Sequence, residues 1–99
     1  MPNYKLPEAA KKDLREISTY TKKTWGKKQE KVYREIIRTA LRVIAKNPEI
    51  GLKREELTDG LRSFPVGHHI AYYVKRRDEI EVARILHPAM DTEKTMKSC

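Results

Sequence analysis

Three histidines and two strand arginines are the residues of this chain best suited to chemistry. His68 and His69 follow Gly67, Arg84 and His87 close the last apolar segment, and Arg62 lies in the segment before the histidine pair. Cleavage of RNA by attack of its own 2′-hydroxyl needs a base, an acid for the leaving oxygen and cations for the charge that builds on phosphorus. Basic side chains on adjacent strands could converge on one phosphate in that way. Each also has a structural reading. Turn histidines commonly face solvent, an arginine on an apolar face needs a carboxylate or carbonyl partner, and a histidine ending a strand can cap a backbone group. Other chemistries find less support. The three histidines and the single Cys99 lack the short paired spacing of zinc ligands, and Gly51, Gly60 and Gly67 are too isolated to cradle a phosphate. No Ser–His–Asp or Cys–His arrangement is visible. The expectation is a protein without metal or cofactor that acts by binding, not by turnover.

Charge points the same way. Lysine and arginine number 22 against 14 acidic residues, for a net charge of +8 and a charged fraction of 36%. This balance favours an acidic partner, either nucleic acid or an acidic protein segment. A chain of 99 residues buries roughly 60–65% of the surface its unfolded form exposes. Its 38% hydrophobic content suits a small domain that a partner completes. The N-terminal stretch lacks the apolar run of a signal peptide, and no segment approaches the ~20 apolar residues needed to span a bilayer. A cytoplasmic location is expected, and the unpaired cysteine agrees with a reducing compartment.

The elements that position these residues are legible from periodicity. Asn3 to Leu6 reads as a short strand ended by Pro7, which can take the first helical position with Glu8 in the first turn. Ala10, Leu14, Ile17 and Thr21 recur at helical spacing, with Trp25 near the same face, and Gly26 ends the helix. A second helix runs from about Lys27 to Lys46 with Tyr33, Ile36, Ile37, Ala40, Leu41 and Ile44 as its apolar stripe. Lys31, Arg34, Arg38 and Arg42 are expected on the opposite side. Asn47-Pro48 stops it, and the short link at Gly26 folds the helices into an antiparallel hairpin. Residues 48–60 read as a loop with at most one helical turn. Three strands follow: Leu61 to Val66, His69 to Lys75 and Ile80 to His87. In the middle one Ile70, Tyr72 and Val74 alternate against Ala71 and Tyr73. Arg84 shares the parity of Ile80, Val82 and Leu86. The result is one α+β domain over 1–99, β-α-α-β-β-β, a helical hairpin on a small, mainly antiparallel sheet. Its tail is expected to fray from about residue 92 to 99.

On these residues the chain resembles the ParE branch of the RelE/ParE toxin superfamily. The run DLREISTYTKKTWGKKQEKVY (Asp13–Tyr33) resembles its helical hairpin, above all in Trp25-Gly26 followed by Gln29 and Tyr33. NPEIG (Asn47–Gly51) is similar to its loop after the second helix, and GLRSFPVGHHIAYYV and IEVARILHPAMD to its last strands. The likeness runs from about Tyr4 to Asp91. It implies the toxin of a type II toxin–antitoxin pair that inhibits DNA gyrase and is neutralised in a hetero-oligomer by a ParD-like antitoxin. The RelE branch of the superfamily, ribosome-dependent mRNA endonucleases, is the alternative. Here the middle strand carries His69 where that branch tends to carry arginine, and no tyrosine adjoins His87.

Two surfaces are expected to serve such partners. Tyr20, Trp25, Tyr72 and Tyr73 exceed what a sheet with one covered face must hide, and they are candidates for an antitoxin groove beside a free sheet edge. Lys31, Arg34, Arg38 and Arg42, with Arg62 and His87, are candidates for the target. Charge of this kind raises association rates more than affinity and fades with salt.

Overall fold

The computed structural model describes residues 3–89, and the expected fraying tail and Cys99 lie outside the described residues. Strand β1 (Asn3–Lys5) leads into helix α1 (Glu8–Trp25) and helix α2 (Lys27–Lys46). A 3₁₀ turn (Pro48–Ile50) and a two-residue strand β2 (Leu52–Lys53) precede β3 (Leu61–Val66), β4 (His69–Lys75) and β5 (Glu79–Leu86). The sheet runs β1-β5-β4-β3-β2, with β1 parallel to β5 and every other pair antiparallel. This is the α+β architecture expected, with β2 added within the segment read as a loop. Two residues carry no alternation, so nothing in the sequence marks β2.

Local chemistry sets the helix ends. Pro7 stands just before α1 with an extended ψ of 168°, one position earlier than expected, and its carbonyl accepts from Lys11 N at 3.0 Å. Gly26 alone joins the helices. Its N–H donates to Lys22 O at 2.9 Å, its carbonyl accepts from Glu30 N at 3.1 Å, and its φ of +93° is one that a side chain disfavours. The two helices fold back on each other, and Ser18 Oγ donates to the buried Glu30 at 2.9 Å across the hairpin.

The core lies between hairpin and sheet. Ile37, Leu41 and Ile44 of α2 pack with Ala10 of α1 and with Val66, Ala71, Tyr73, Ile80, Val82 and Ile85 of the strands. On the other face Leu61, Tyr72 and Leu86 form a second, smaller cluster with Leu57 from the loop. Tyr73 joins the core to the turn after α2: its hydroxyl donates to Pro48 O at 2.7 Å and accepts from Gly51 N at 2.9 Å. Gly51 has no room for a side chain, because a Cβ there would collide with the Tyr73 hydroxyl and ring.

Arg84 departs from its expected parity. Tyr72 pairs with Arg84 while Tyr73 pairs with Val82, so Ala83 has no partner on β4 and the strand bulges there. Leu86 consequently joins the second cluster and not the face of Ile80 and Val82. The Arg84 guanidinium meets Asp13 of α1 in two parallel bonds, Nε to Oδ2 at 2.8 Å and a terminal nitrogen to Oδ1 at 2.9 Å. Asp13 Oδ2 also accepts the backbone N–H of Ile85 at 3.0 Å. Asp13 is 5% exposed. Removing one partner of such a pair leaves a desolvated charge, at a cost of roughly 3–5 kcal/mol. Asp13→Ala is therefore expected to lower the unfolding free energy by about 3 kcal/mol or more in urea denaturation; a loss below about 1 kcal/mol, the range of a surface ion pair, would contradict the assigned role.

Candidate functional site

At the end of the sheet where β4 begins, His68 and His69 meet Tyr33, and His87 meets His69. The turn Gly67-His68 joins β3 to β4, and Gly67 adopts φ +66°. A Cβ on Gly67 would stand 2.6 Å from the Tyr33 ring, so this glycine also admits the α2 side chain. The Tyr33 hydroxyl accepts the N–H of His68 at 2.8 Å and lies 2.6 Å from His69 Nδ1. The Tyr33 oxygen has both a proton to give and a second lone pair, so it bonds His69 Nδ1 in either neutral tautomer. His68 stacks on Tyr33 with centroids 6.1 Å apart, and His87 meets His69 edge-on at 5.8 Å. His87 Nδ1 accepts the N–H of Ala89 at 3.0 Å, so this histidine caps a backbone group while its ring remains exposed.

Burial lowers the pKa of His69 from its ordinary value, and neighbouring His87 and His68 push the same way. Burial raises that of the Tyr33 hydroxyl, partly offset by the His68 N–H. A neutral His69 can accept or pass a proton. The cations that phosphate chemistry also needs are committed elsewhere. Arg84 is held by Asp13, and Arg62 donates to the carbonyls of Glu49 and Gly51 at 3.2 and 2.8 Å, toward the other end of the sheet beside Tyr73. The five basic side chains therefore do not converge. Tyr33 was missed as a site residue because its position fits the apolar stripe of α2. The available signal was its hydroxyl, since a tyrosine turned toward a core requires a polar partner.

The expected partner surfaces are only partly present. Tyr20 and Trp25 are 66% and 69% exposed, so Trp25 stands off the apolar face expected to carry it. Tyr72 and Tyr73 do not project to a partner: Tyr73 is sealed in the main core, and Tyr72 points to the other face but is covered, with Arg54 over its ring at 5.6 Å. The basic stripe of α2 is not opposite the core either. Arg34 and Arg38 rim a cavity of about 160 Å³ between the helices, lined by Leu14, Ile17, Ile37 and Leu41. Arg34 pairs with Glu30 at 3.3 Å and Arg38 with Glu35 at 2.9 Å. Lys31 and Arg42 are exposed. The outer flank of α2 instead presents Val32, Ile36 and Val43, each 40–47% exposed. At about 100° per residue these fall within roughly 40° of one another, and Ile36 thus leaves the core stripe expected of it.

Comparison with known proteins adds whole-chain likeness. A family model described as the ParE toxin of the type II toxin–antitoxin system parDE matches residues 4–92. Toxin ParE1 of Caulobacter vibrioides is 33% identical over 91 residues, covering 92% of this chain and 94% of the relative. Toxin ParE1 of Mycobacterium tuberculosis is 34% identical over 94 residues, covering 94% and 96%. Among solved structures, a chain of the chromosomal ParDE TA system from P. aeruginosa superposes with a TM-score of 0.74 at 19% identity, over 88% of this chain and 96% of that one. At that identity the superposition speaks for the fold.

The histidine cluster also makes stability depend on pH. Folded His69 takes a proton less readily than the unfolded chain, so the unfolded state binds more protons below the ordinary value of 6.5. Its contribution is complete above that value and is lost as pH falls through the lowered folded pKa. Thermal melts of the parent and His69→Gln between about pH 8 and pH 5 should show the parent losing more stability on acidification. Parallel curves would contradict this assignment.

Proposed function

This chain belongs to the ParE family of toxins from type II toxin–antitoxin systems, and we propose that it binds DNA gyrase and stalls replication until a ParD-like antitoxin sequesters it. The observation that carries this reading is likeness along almost the whole chain, residues 4–92, to ParE toxins and not to one isolated motif. Action by binding is supported by the commitment of Arg84 and Arg62 to structural bonds, which withholds these two cations from the histidine cluster. The exposed basic surface favours fast, salt-sensitive encounter with a target that holds DNA. No helix among the described residues is long and apolar enough to cross a membrane, and we place the action in the cytoplasm with gyrase.

For the antitoxin we propose the apolar flank of α2 (Val32, Ile36, Val43) together with Tyr20, surfaces the fold leaves uncovered. Laying an amphipathic segment there removes apolar area from water at about 25 cal/mol per Å². One observation favours the alternative, a ribosome-dependent mRNA endonuclease: His69, His87 and Tyr33 do converge, and neutral His69 suits proton transfer.

Expression of the chain without antitoxin distinguishes the two. The gyrase reading predicts growth arrest with chromosomal DNA breaks and halted replication, relieved by co-expressed antitoxin. Intact DNA with mRNA cut on translating ribosomes would establish the nuclease instead.

A further inference from the structure

The hairpin ends in a lysine-flanked aromatic apex. Its sequence is Lys22-Lys23-Thr24-Trp25-Gly26-Lys27-Lys28, and all seven residues are exposed. Trp25 is 69% exposed and takes no part in either hydrophobic cluster. Among the described residues none of these four lysines stands in an ion pair. The nearby acid Glu30 is turned inward and held by Ser18 and Arg34. The apex is convex, because one residue joins the helices and nothing lies within 4 Å of where a Gly26 side chain would stand.

An exposed indole among uncompensated ammonium groups narrows the chemistry of the ligand. Protein interfaces enrich tryptophan but are depleted of lysine. Nucleic-acid interfaces combine strong positive charge with aromatic faces on which bases stack, whatever the base. A convex tip cannot receive a helix, but it can insert an aromatic ring beside an unstacked base. Trp25, expected from sequence to meet the antitoxin, has the wrong surroundings for an apolar groove. We infer that the hairpin tip binds single-stranded DNA, with Trp25 stacked on a base and Lys22, Lys23, Lys27 and Lys28 on flanking phosphates. The site requires an open base face, which a paired duplex does not offer. It goes beyond the gyrase reading and does not depend on it, since the strand alone is the ligand.

Trp25 is the only tryptophan of the chain, so its emission reports on this tip alone. The full-length protein is titrated with an oligothymidylate of about fifteen nucleotides, a length near one single-strand site. Saturable quenching is expected. If all four lysines meet phosphates, the logarithm of the affinity falls with the logarithm of salt at a slope near about −3. Trp25→Ala should weaken binding of an end-labelled oligomer by at least about fivefold in anisotropy. Exchange of the four lysines for glutamine should bring the salt slope close to zero. Emission that does not respond while the oligomer binds, no binding of the oligomer at all, or variants that bind as tightly as the parent each overturn the proposal. Equal or tighter binding of duplex of the same length, or quenching by polyglutamate but not by DNA, would also overturn it, the second by assigning the tip to an acidic protein.

Discussion

Strand β1 covers β5 only as far as Glu81. Beyond that point the outer edge of β5 has no strand beside it among the described residues, and the carboxylate of Asp13 accepts the Ile85 N–H there. The same carboxylate grips the Arg84 guanidinium, so a single acidic residue closes a sheet edge and fixes the first helix to the last strand across 71 positions of sequence. This bond joins α1 to β5 alongside the apolar contacts that seat the hairpin on the sheet. It also removes from the surface one of the two arginines that a phosphate-cleaving site would have recruited. The bulge at Ala83 belongs to the same arrangement, since it resets the register of β5 just before the residues that Asp13 binds.

With that end secured, the hairpin presents three chemically different regions. The inner side carries the core residues and the small cavity rimmed by Arg34 and Arg38. The outer flank of α2 carries uncovered valine and isoleucine, and the apex carries lysine around tryptophan. A net charge of +8 means that acidic ligands are attracted from a distance to all of them. What distinguishes the regions is short-range: apolar area on the flank, a stacking face at the tip. A chain this small cannot enclose a deep cavity, and it distributes its binding chemistry over helix surfaces.

Much of the fold was legible in the sequence because periodicity is local. Helical spacing located both helices, Gly26 and Asn47-Pro48 marked their ends, and alternation located β3 to β5. Strand β2 was not legible, since its two residues show no pattern and it exists only through pairing with β3. Alternation sets Tyr72 and Tyr73 on opposite faces, as they are found, but not the exposure of Tyr72, because its cover comes from Leu57 and Arg54 in a loop whose path no periodicity describes. The sequence calls for a carboxylate or carbonyl partner for Arg84, yet which one depends on a contact 71 residues away. The site was less legible for the same reason. Tyr33 and His69 lie 36 positions apart, and the apex shows its character only once Glu30 is seen to turn inward.

The proposed activity is inhibition of DNA gyrase by binding, and supercoiling of relaxed plasmid by purified gyrase, with and without this chain, measures it directly. Supercoiling is expected to fall as the protein is added, cleaved plasmid to accumulate, and a ParD-like antitoxin to restore activity. Supercoiling at full rate with the protein in excess would contradict it.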